Sequence, residues 1–111
     1  MKYYTSTIPL TLAEKLKEKG MPVEYRFAIR CLFMSMDKMK PICPTYGKVF
    51  DWLINKGCHI YIYGYNDGFD VGYNAEIRYA HYPFGGEIKM DWEKTWHEAA
   101  TKAIEKALTL I

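Results

Sequence analysis

Residues 58–82 read CHIYIYGYNDGFDVGYNAEIRYAHY, a stretch that holds more than half of the chain's ten tyrosines. Neighbouring side chains of a β-strand point to opposite faces, and here apolar and polar residues alternate on both sides of the turn-forming sequence NDG. That arrangement predicts a β-hairpin. On the first arm, one face carries Cys58, Ile60 and Ile62. The other face carries a histidine and three tyrosines, which are His59, Tyr61, Tyr63 and Tyr65.

The second arm of the hairpin also has an apolar and a polar face. The apolar face consists of Phe69, Val71, Tyr73, Ala75, Ile77 and Tyr79, and the polar face of Asp70, Asn74, Glu76 and Arg78. The length of the turn decides which faces combine, because a shift of one residue turns every side chain to the other face. A two-residue loop of Asp67 and Gly68 would place Ile62 opposite Tyr73 and would turn the three tyrosines of the first arm outward.

A three-residue loop is the alternative for the same turn. With residues 66–68 in the loop and Gly68 in a left-handed conformation, Tyr63 would lie opposite Val71, and the three tyrosines would enter the core. This register would leave Ile60 and Ile62 on the polar face and would require three phenol hydroxyls to find buried partners. We favour the two-residue loop for that reason, although the sequence fits both turns.

An outward row of Tyr61, Tyr63 and Tyr65, bordered by Arg78 and Lys89, is a candidate binding surface. Tyrosine and tryptophan are favoured in protein interfaces, so we expect a protein partner or a second copy of the chain in a homodimer. Aromatic rings beside basic residues also suit stacking on single-stranded nucleic acid, which is the alternative function. Tyrosine also occurs half exposed in sheets that bind nothing, because its strand propensity is high.

Three helices are predicted from apolar residues at helical spacing, around residues 12–19, 45–56 and 95–110. Thr11 with Glu14, and Thr95 with Glu98, have the spacing of capping boxes at the first and the last helix, and Thr45 is a candidate cap for the second. The apolar face of the last helix consists of Trp96, Ala99, Ala100, Ala103, Ile104, Ala107 and Leu108. The small alanines predict that this helix lies close against a sheet.

Two further strands are predicted outside the hairpin. Residues 23–31 alternate between apolar and polar, and a short strand around EIKM follows a turn at residues 83–86. Residues 32–43 lose the alternation, and their structure stays open. The chain therefore predicts an α+β fold, in which an antiparallel sheet of three or four strands has three helices packed mainly on one face. Its C-terminal part runs helix, strand, strand, strand, helix.

Length and composition limit the classes of protein that the chain can represent. The 111 residues, with a mass of 13.0 kDa, have the size of one domain, so we expect a single domain over residues 1–111. The 15 basic and 13 acidic residues give a net charge of +2, which alone indicates no polyanionic partner. No apolar stretch is long enough to cross a bilayer, and the first residues lack a signal-peptide pattern. We expect a cytoplasmic protein without a membrane partner.

The sequence contains no recognisable catalytic motif. The patterns GxGxxG, GxxxxGK, HExxH and GxSxG are all missing. Cys31, Cys43 and Cys58 are an odd number without a CxxC pair, which indicates reduced cysteines. The three histidines are not paired at metal-ligand spacing, and Cys58 and His59 point to opposite faces of a strand. We therefore expect a non-enzymatic protein without cofactor or metal.

Two resemblances to known groups of proteins accompany these patterns. The order helix, three strands, helix from Pro44 to Ile111, with its closing segment WHEAATKAIEKALTLI, resembles double-stranded RNA-binding domains and the small antitoxins of the HicB type. Those RNA-binding domains carry a basic pair at the start of that helix, where this sequence has Trp96 and His97. The segments IPLTLAEKLKEKGMP, PTYGKVFDWLINKG and TWHEAATKAIEKALTLI are similar to small uncharacterised proteins of phage-like and mobile elements in gut bacteria. The second resemblance implies a biological context and no particular activity.

Overall fold

A computed structural model of the chain describes residues 2–22, 24–27, 39–80 and 85–111. Within these residues the backbone forms four α-helices and five β-strands. The helices are α1 (Lys2–Thr5), α2 (Leu10–Glu18), α3 (Tyr46–Asn55) and α4 (Trp96–Leu108). The strands are β1 (Glu24–Phe27), β2 (Met39–Ile42), β3 (Cys58–Asn66), β4 (Val71–Ala80) and β5 (Gly85–Lys89). No helix in these ranges is long and apolar enough to span a bilayer.

The strands form two antiparallel sheets. β3, β4 and β5 make a three-stranded sheet in that order, and β1 pairs with β2 in a separate two-stranded sheet. This architecture confirms the predicted α+β class and the helix, strand, strand, strand, helix order of the C-terminal part.

Several predicted boundaries extend beyond the described residues. Of the strand predicted over 23–31, the described part is β1, and the rest lies outside the described residues. β2 lies within the segment 32–43 that the sequence left open, of which residues 32–38 are likewise outside the described part. The first half of the turn predicted at 83–86 also lies outside the described residues. The second half was predicted wrongly, because Gly85 and Gly86 already belong to β5.

The hairpin of β3 and β4 has a longer loop than either predicted register. Asn66 pairs with Val71, which leaves the four residues Asp67–Asp70 in the loop, and Ile62 lies opposite Ala75. Both predicted sets of residue pairs were therefore wrong. The observed register differs from that of the two-residue loop by two positions, and side-chain direction alternates with every residue. The outward direction that the two-residue loop predicted for the tyrosines is consequently the observed one.

Hydrogen bonds of Asp67 account for the longer loop. Its Oδ1 accepts from the backbone N–H groups of Phe69 at 2.9 Å and Asp70 at 2.7 Å, and its own N–H donates to the carbonyl of Asp70 at 3.3 Å. Gly68 has a φ of 91° and donates its N–H to Oδ1 of Asn66 at 2.9 Å. Such local bonds of Asp and Asn side chains stabilise turns. Phe69, which alternation placed on the apolar face of the second arm, lies in this loop and is 95% exposed.

The helices α3 and α4 pack on one face of the three-stranded sheet. All seven residues predicted for the apolar face of α4 are buried, as are Ala75 and Ile77 of β4. The buried residues of α3 are Tyr46, Val49, Phe50 and Leu53. Tyr73 and Tyr79, predicted to face the core, are partly buried against it. The apolar face of β4 continues past the core at Val71, which is 69% exposed.

Side-chain caps begin α3 and α4 as predicted. Oγ1 of Thr45 accepts from the N–H of Lys48 at 3.3 Å, and Oγ1 of Thr95 accepts from the N–H of Glu98 at 3.1 Å. Each bond satisfies one of the N–H groups that the first turn of a helix leaves without a partner inside the helix.

The cap predicted for α2 was wrong. This helix begins at Leu10, so Thr11 lies inside it, and the carbonyl of Pro9 accepts from the N–H groups of Leu12 at 3.1 Å and Ala13 at 3.0 Å. A proline is tolerated at the start of a helix because the first N–H groups have no acceptor within the helix. Pro9 therefore sets the helix start two residues before the position that the capping box indicated.

The short helix α1 was not predicted, and aromatic contacts attach it to the other helices. The ring of Tyr3 stacks on Trp96 with centroids 4.9 Å apart and an interplanar angle of 9°, and its hydroxyl oxygen lies 3.3 Å from that of Tyr73. Tyr4 meets Phe50 edge-on at 5.8 Å. The N-terminal segment thus adds aromatic surface to the helical side of the sheet.

Candidate functional site

The surface of the three-stranded sheet opposite the helices carries all five predicted site residues. We call this surface the tyrosine face. Its outward positions are His59, Tyr61, Tyr63, Tyr65, Asn74, Glu76, Arg78, Glu87 and Lys89. Tyr61 lies opposite Glu76 and Tyr63 opposite Asn74, and these two tyrosines are 45% and 46% exposed. Two large rings therefore stand half exposed, next to each other in one strand.

Neighbouring side chains hold the ring of Tyr61 in place. The His59 ring stacks on it with centroids 6.4 Å apart and an angle of 14°, and Cζ of Arg78 lies 5.1 Å from its centroid. A guanidinium over an aromatic ring is attracted by the ring quadrupole. Arg78 in turn has its Nε 3.7 Å from Oε1 of Glu76. The His59 ring and the Arg78 guanidinium therefore restrict the orientation of the Tyr61 ring.

Tyr65 differs from Tyr61 and Tyr63 because its hydroxyl makes a hydrogen bond within the chain. Its hydroxyl donates to Oδ2 of Asp67 at 2.9 Å, and its ring meets Trp92 edge-on at 6.4 Å. The hydrogen bond to Asp67 and the negative charge there raise the pKa of the Tyr65 hydroxyl. The N–H groups of Asp70 and Phe69, followed by the Tyr65 hydroxyl, lower the pKa of the Asp67 carboxyl. Tyr65 joins the face to the loop and is only partly exposed.

The charged groups of the tyrosine face balance one another. Lys89 lies opposite Glu76, and Glu87 lies opposite Arg78. The two carboxyl groups share a hydrogen bond, which raises the pKa of Glu87 and lowers that of Glu76, and Arg78 and Lys89 lower the Glu76 pKa further. Two cationic side chains thus stand beside two carboxyl groups. Arg78 and Lys89 were predicted as the basic border of the face, and alternation already placed Glu76 on the same face as Arg78, but the pairing that brings Glu87 beside Arg78 and Lys89 beside Glu76 was not predicted.

Trp92 belongs to the same end of the sheet as Tyr65 and was not predicted there. A bridge between Tyr73 and Glu93 continues the pairing beyond β5, and it places the Trp92 indole over Gly72. Gly72 is buried, and a Cβ at this position would overlap the indole. A glycine inside a strand often marks a place where another group approaches the backbone closely. That signal was present in the sequence, although it does not say which group approaches.

The other residues that the sequence singled out for possible chemistry lie apart in the described structure. Cys58 is buried, and this burial raises the pKa of its thiol, while His59 is exposed on the opposite face of β3. No group of three His, Cys, Asp or Glu side chains at metal-binding distance occurs among the described residues. An open groove of about 380 Å³ lies between the start of α3, one side of α4 and the residue before α2; its lining residues are Pro9, Tyr46, His97, Glu98, Thr101, Lys102 and Glu105.

Comparisons with protein-family models, with curated proteins and with solved structures found no significant match to this chain. The resemblances to double-stranded RNA-binding domains, to HicB-type antitoxins and to proteins of phage-like elements therefore stay predictions. The fold and the site define the chain only as an α+β protein with an aromatic sheet surface opposite its helices. Any function has to be inferred from the geometry of that surface.

Proposed function

We propose that the chain is a non-enzymatic, cytoplasmic binding protein whose tyrosine face contacts a protein partner. The observation that carries this proposal is the pair Tyr61 and Tyr63, nearly half exposed on the side of the sheet opposite the helices. Tyrosine provides a large amphipathic contact area with few rotatable bonds and is enriched where interfaces bind most strongly. The contacts of Tyr61 with His59 and Arg78 fix the ring in advance.

The charges of the face favour a protein over a nucleic acid. Binding to single strands draws much of its affinity from cations that neutralise phosphates. On the tyrosine face, Arg78 lies beside Glu76, and Lys89 lies opposite the same carboxylate. The nearby Glu87 adds a second carboxyl group. A neutral, mixed-charge border around exposed aromatic rings suits the polar rim of a protein interface.

A capture experiment with paired variants tests the proposal. The tagged chain, its double variant Tyr61→Ser with Tyr63→Ser, and the control Phe69→Ser would each be incubated with host lysate, and the retained proteins would be quantified by mass spectrometry. Phe69 is an equally large exposed ring on the same hairpin but outside the face. We expect partner proteins that the double variant loses and the control retains, with both variants folded by circular dichroism.

Two results would contradict the proposal. Capture that is equal for the wild type and the double variant would remove the face from consideration. Salt-sensitive binding of a single-stranded oligonucleotide, lost in the double variant, together with no protein captured through the face, would support the nucleic-acid alternative.

A further inference from the structure

The outer edge of β3 presents backbone groups that are directed away from the sheet. In an antiparallel ladder, alternate residues direct their N–H and C=O groups to opposite sides. The N–H of Ala80 donates to the carbonyl of Gly57 at 2.9 Å, and the N–H of Asp67 donates to the carbonyl of Asp70 at 3.3 Å. Odd-numbered residues of β3 therefore bond to β4. Even-numbered residues point away from β4, to a side where no described residue pairs with them; they are Cys58, Ile60, Ile62, Gly64 and Asn66.

The composition of β3 differs from that of a protected edge strand. Exposed sheet edges in monomeric proteins are usually short or carry charged residues, prolines or bulges that prevent pairing with another chain. β5, at the opposite side of the sheet, has five residues and carries Glu87 and Lys89. β3 has nine residues, CHIYIYGYN, with no proline, lysine, arginine, aspartate or glutamate. Charged residues that hinder pairing are thus present in β5 and missing from β3.

We propose that β3 pairs antiparallel with β3 of a second copy, about a two-fold axis at Ile62. This register joins two three-stranded sheets into one continuous sheet. It places Ile62 opposite Ile62 of the second copy, Ile60 opposite Gly64 and Cys58 opposite Asn66. Every N–H and C=O that the even-numbered residues direct away from β4 then receives a partner. The proposal goes beyond the proposed function, because it concerns the edge of the sheet and not its face.

The same register gives the exposed tyrosines favourable cross-strand neighbours. Tyr61 lies opposite Tyr63 of the second copy, and His59 lies opposite Tyr65. These are pairs without mutual backbone hydrogen bonds, in which opposing side chains come closest, and aromatic cross-strand pairs stabilise sheets. β3 contains no charged residue other than a titratable histidine, so the two-fold arrangement places no carboxylate, lysine or arginine opposite a group of the same charge. The edge is therefore complementary to the same edge of a second copy, as a two-fold interface requires.

Gly64 allows a matched test of the edge. Its N–H points away from β4, and a Cβ added to it meets nothing within 4 Å. Gly64→Pro removes an outward N–H without removing a bond inside the sheet, and Gly64→Lys adds the kind of charge that protects natural edges. Gly64→Ala keeps the N–H and is the control. Light scattering coupled to size exclusion, at up to about 100 μM protein, would detect micromolar association.

We expect the wild type and Gly64→Ala to have twice the 13.0 kDa mass of the chain, and Gly64→Lys and Gly64→Pro to be monomers with unchanged circular dichroism. If Gly64→Pro fails to fold, Gly64→Lys decides alone. A monomeric wild type at all concentrations overturns the proposal, and so does a dimer that survives Gly64→Lys. A monomeric wild type is also the result expected if another segment of the same chain covers the edge.

A single-cysteine cross-link tests the register. Cα atoms of a hydrogen-bonded antiparallel pair are about 5.5 Å apart, which lies within the range that a disulfide spans. Ile62→Cys is therefore expected to form a covalent dimer on mild oxidation. In Gly64→Cys the two introduced cysteines lie four positions out of register, displaced by about 13 Å along the strand, and no disulfide between them is expected. Serine would replace Cys31 and Cys43 in both variants, whereas Cys58 is retained because it is buried. Equal cross-linking of both variants would refute the register.

The two proposals fail independently. A monomer that still captures a protein through Tyr61 and Tyr63 would overturn the edge pairing and leave the proposed function standing. A dimer that Gly64→Lys dissociates, without any protein captured through the tyrosine face, would support the edge pairing and contradict the proposed function.

Discussion

Gly72→Ala is expected to destabilise the sheet because the space for its Cβ is occupied. The added carbon would lie 2.5 Å from Cε2 and from Nε1 of Trp92, whereas ordinary contacts begin at 3.4 Å, and it would also overlap the carbonyl oxygen of Glu93. The carbonyl cannot withdraw freely. Glu93 exchanges two backbone hydrogen bonds with Tyr73, at 2.7 and 2.9 Å. Relief of the overlap therefore requires the segment around Trp92 to leave β4.

The expected cost follows from the groups that have to move. Overpacking by one carbon in a filled site typically costs about 1–3 kcal/mol, and each backbone hydrogen bond contributes about 1 kcal/mol net. Strain that breaks part of the Tyr73–Glu93 bridge thus gives a loss of about 2–4 kcal/mol in the free energy of unfolding. Trp92→Ala in the same chain should recover the part due to the indole and leave the part due to the Glu93 carbonyl.

Urea unfolding, followed by tryptophan fluorescence and far-ultraviolet circular dichroism, measures this loss. The protein concentration has to be held fixed, because any self-association would make stability depend on it. Gly64→Ala is the control on the neighbouring strand, where the Cβ enters open space; it should change stability by no more than about 1 kcal/mol, in the stabilising direction. A Gly72→Ala variant as stable as this control would refute the placement of Trp92 over β4.

Three further predictions address the helix cap, the buried thiol and the carboxyl pair. Thr95→Ala should lower the free energy of unfolding by about 1 kcal/mol, whereas Thr95→Ser keeps the capping oxygen and should not; a loss in both would mean that the oxygen is not responsible. Burial raises the thiol pKa of Cys58, so iodoacetamide at about pH 8 should label the half-buried Cys43 first, and equal rates by mass spectrometry would contradict this. The shared hydrogen bond raises the pKa of Glu87 and lowers that of Glu76. The contribution of Glu87 to stability is therefore full below its unfolded pKa and lost as pH rises through its folded pKa. That of Glu76 is full above its unfolded pKa and lost as pH falls through its folded pKa. A carboxyl NMR titration should show the transitions of these two residues on opposite sides of the ordinary glutamate value, and Glu87→Gln should leave only that of Glu76.

The sequence predicts those parts of the fold in which apolar residues recur at helical or strand spacing often enough to define a buried face. α4 has seven buried positions at helical spacing and a cap at Thr95, so its existence, its buried face and its start all follow from the pattern. α1 has four residues, too few for a periodic signal, and it is attached by the stacking of Tyr3 on Trp96, two residues far apart in the sequence. Long-range contacts of this kind leave no local trace.

The hairpin shows the same division at the level of a single turn. Its existence and the outward direction of its tyrosines follow from alternation, but its loop length depends on side-chain bonds of Asp67 that compete with two shorter turns of similar composition. The contacts of Glu87 with the charged groups of β4 were missed for a related reason. Glu87 lies beside Glu76 only through the pairing of β5 with β4, and the register of that pairing was not read from the sequence.

The four-residue loop determines how the face and the edge of β3 are related. Side-chain direction and hydrogen-bond direction both alternate with a period of two, so one register fixes both. In this register Tyr61 and Tyr63 project from positions whose backbone is bonded to β4, while the positions that point away from β4 direct side chains such as Ile62 towards the helices. A second copy can therefore pair with the edge without displacing the tyrosines, and a protein on the face can contact them without breaking the sheet. Because Tyr61 and Tyr63 would also face each other across the paired edges, the variant that separates the two contacts is Gly64→Lys, which should abolish the dimer and retain any protein bound through the tyrosine face.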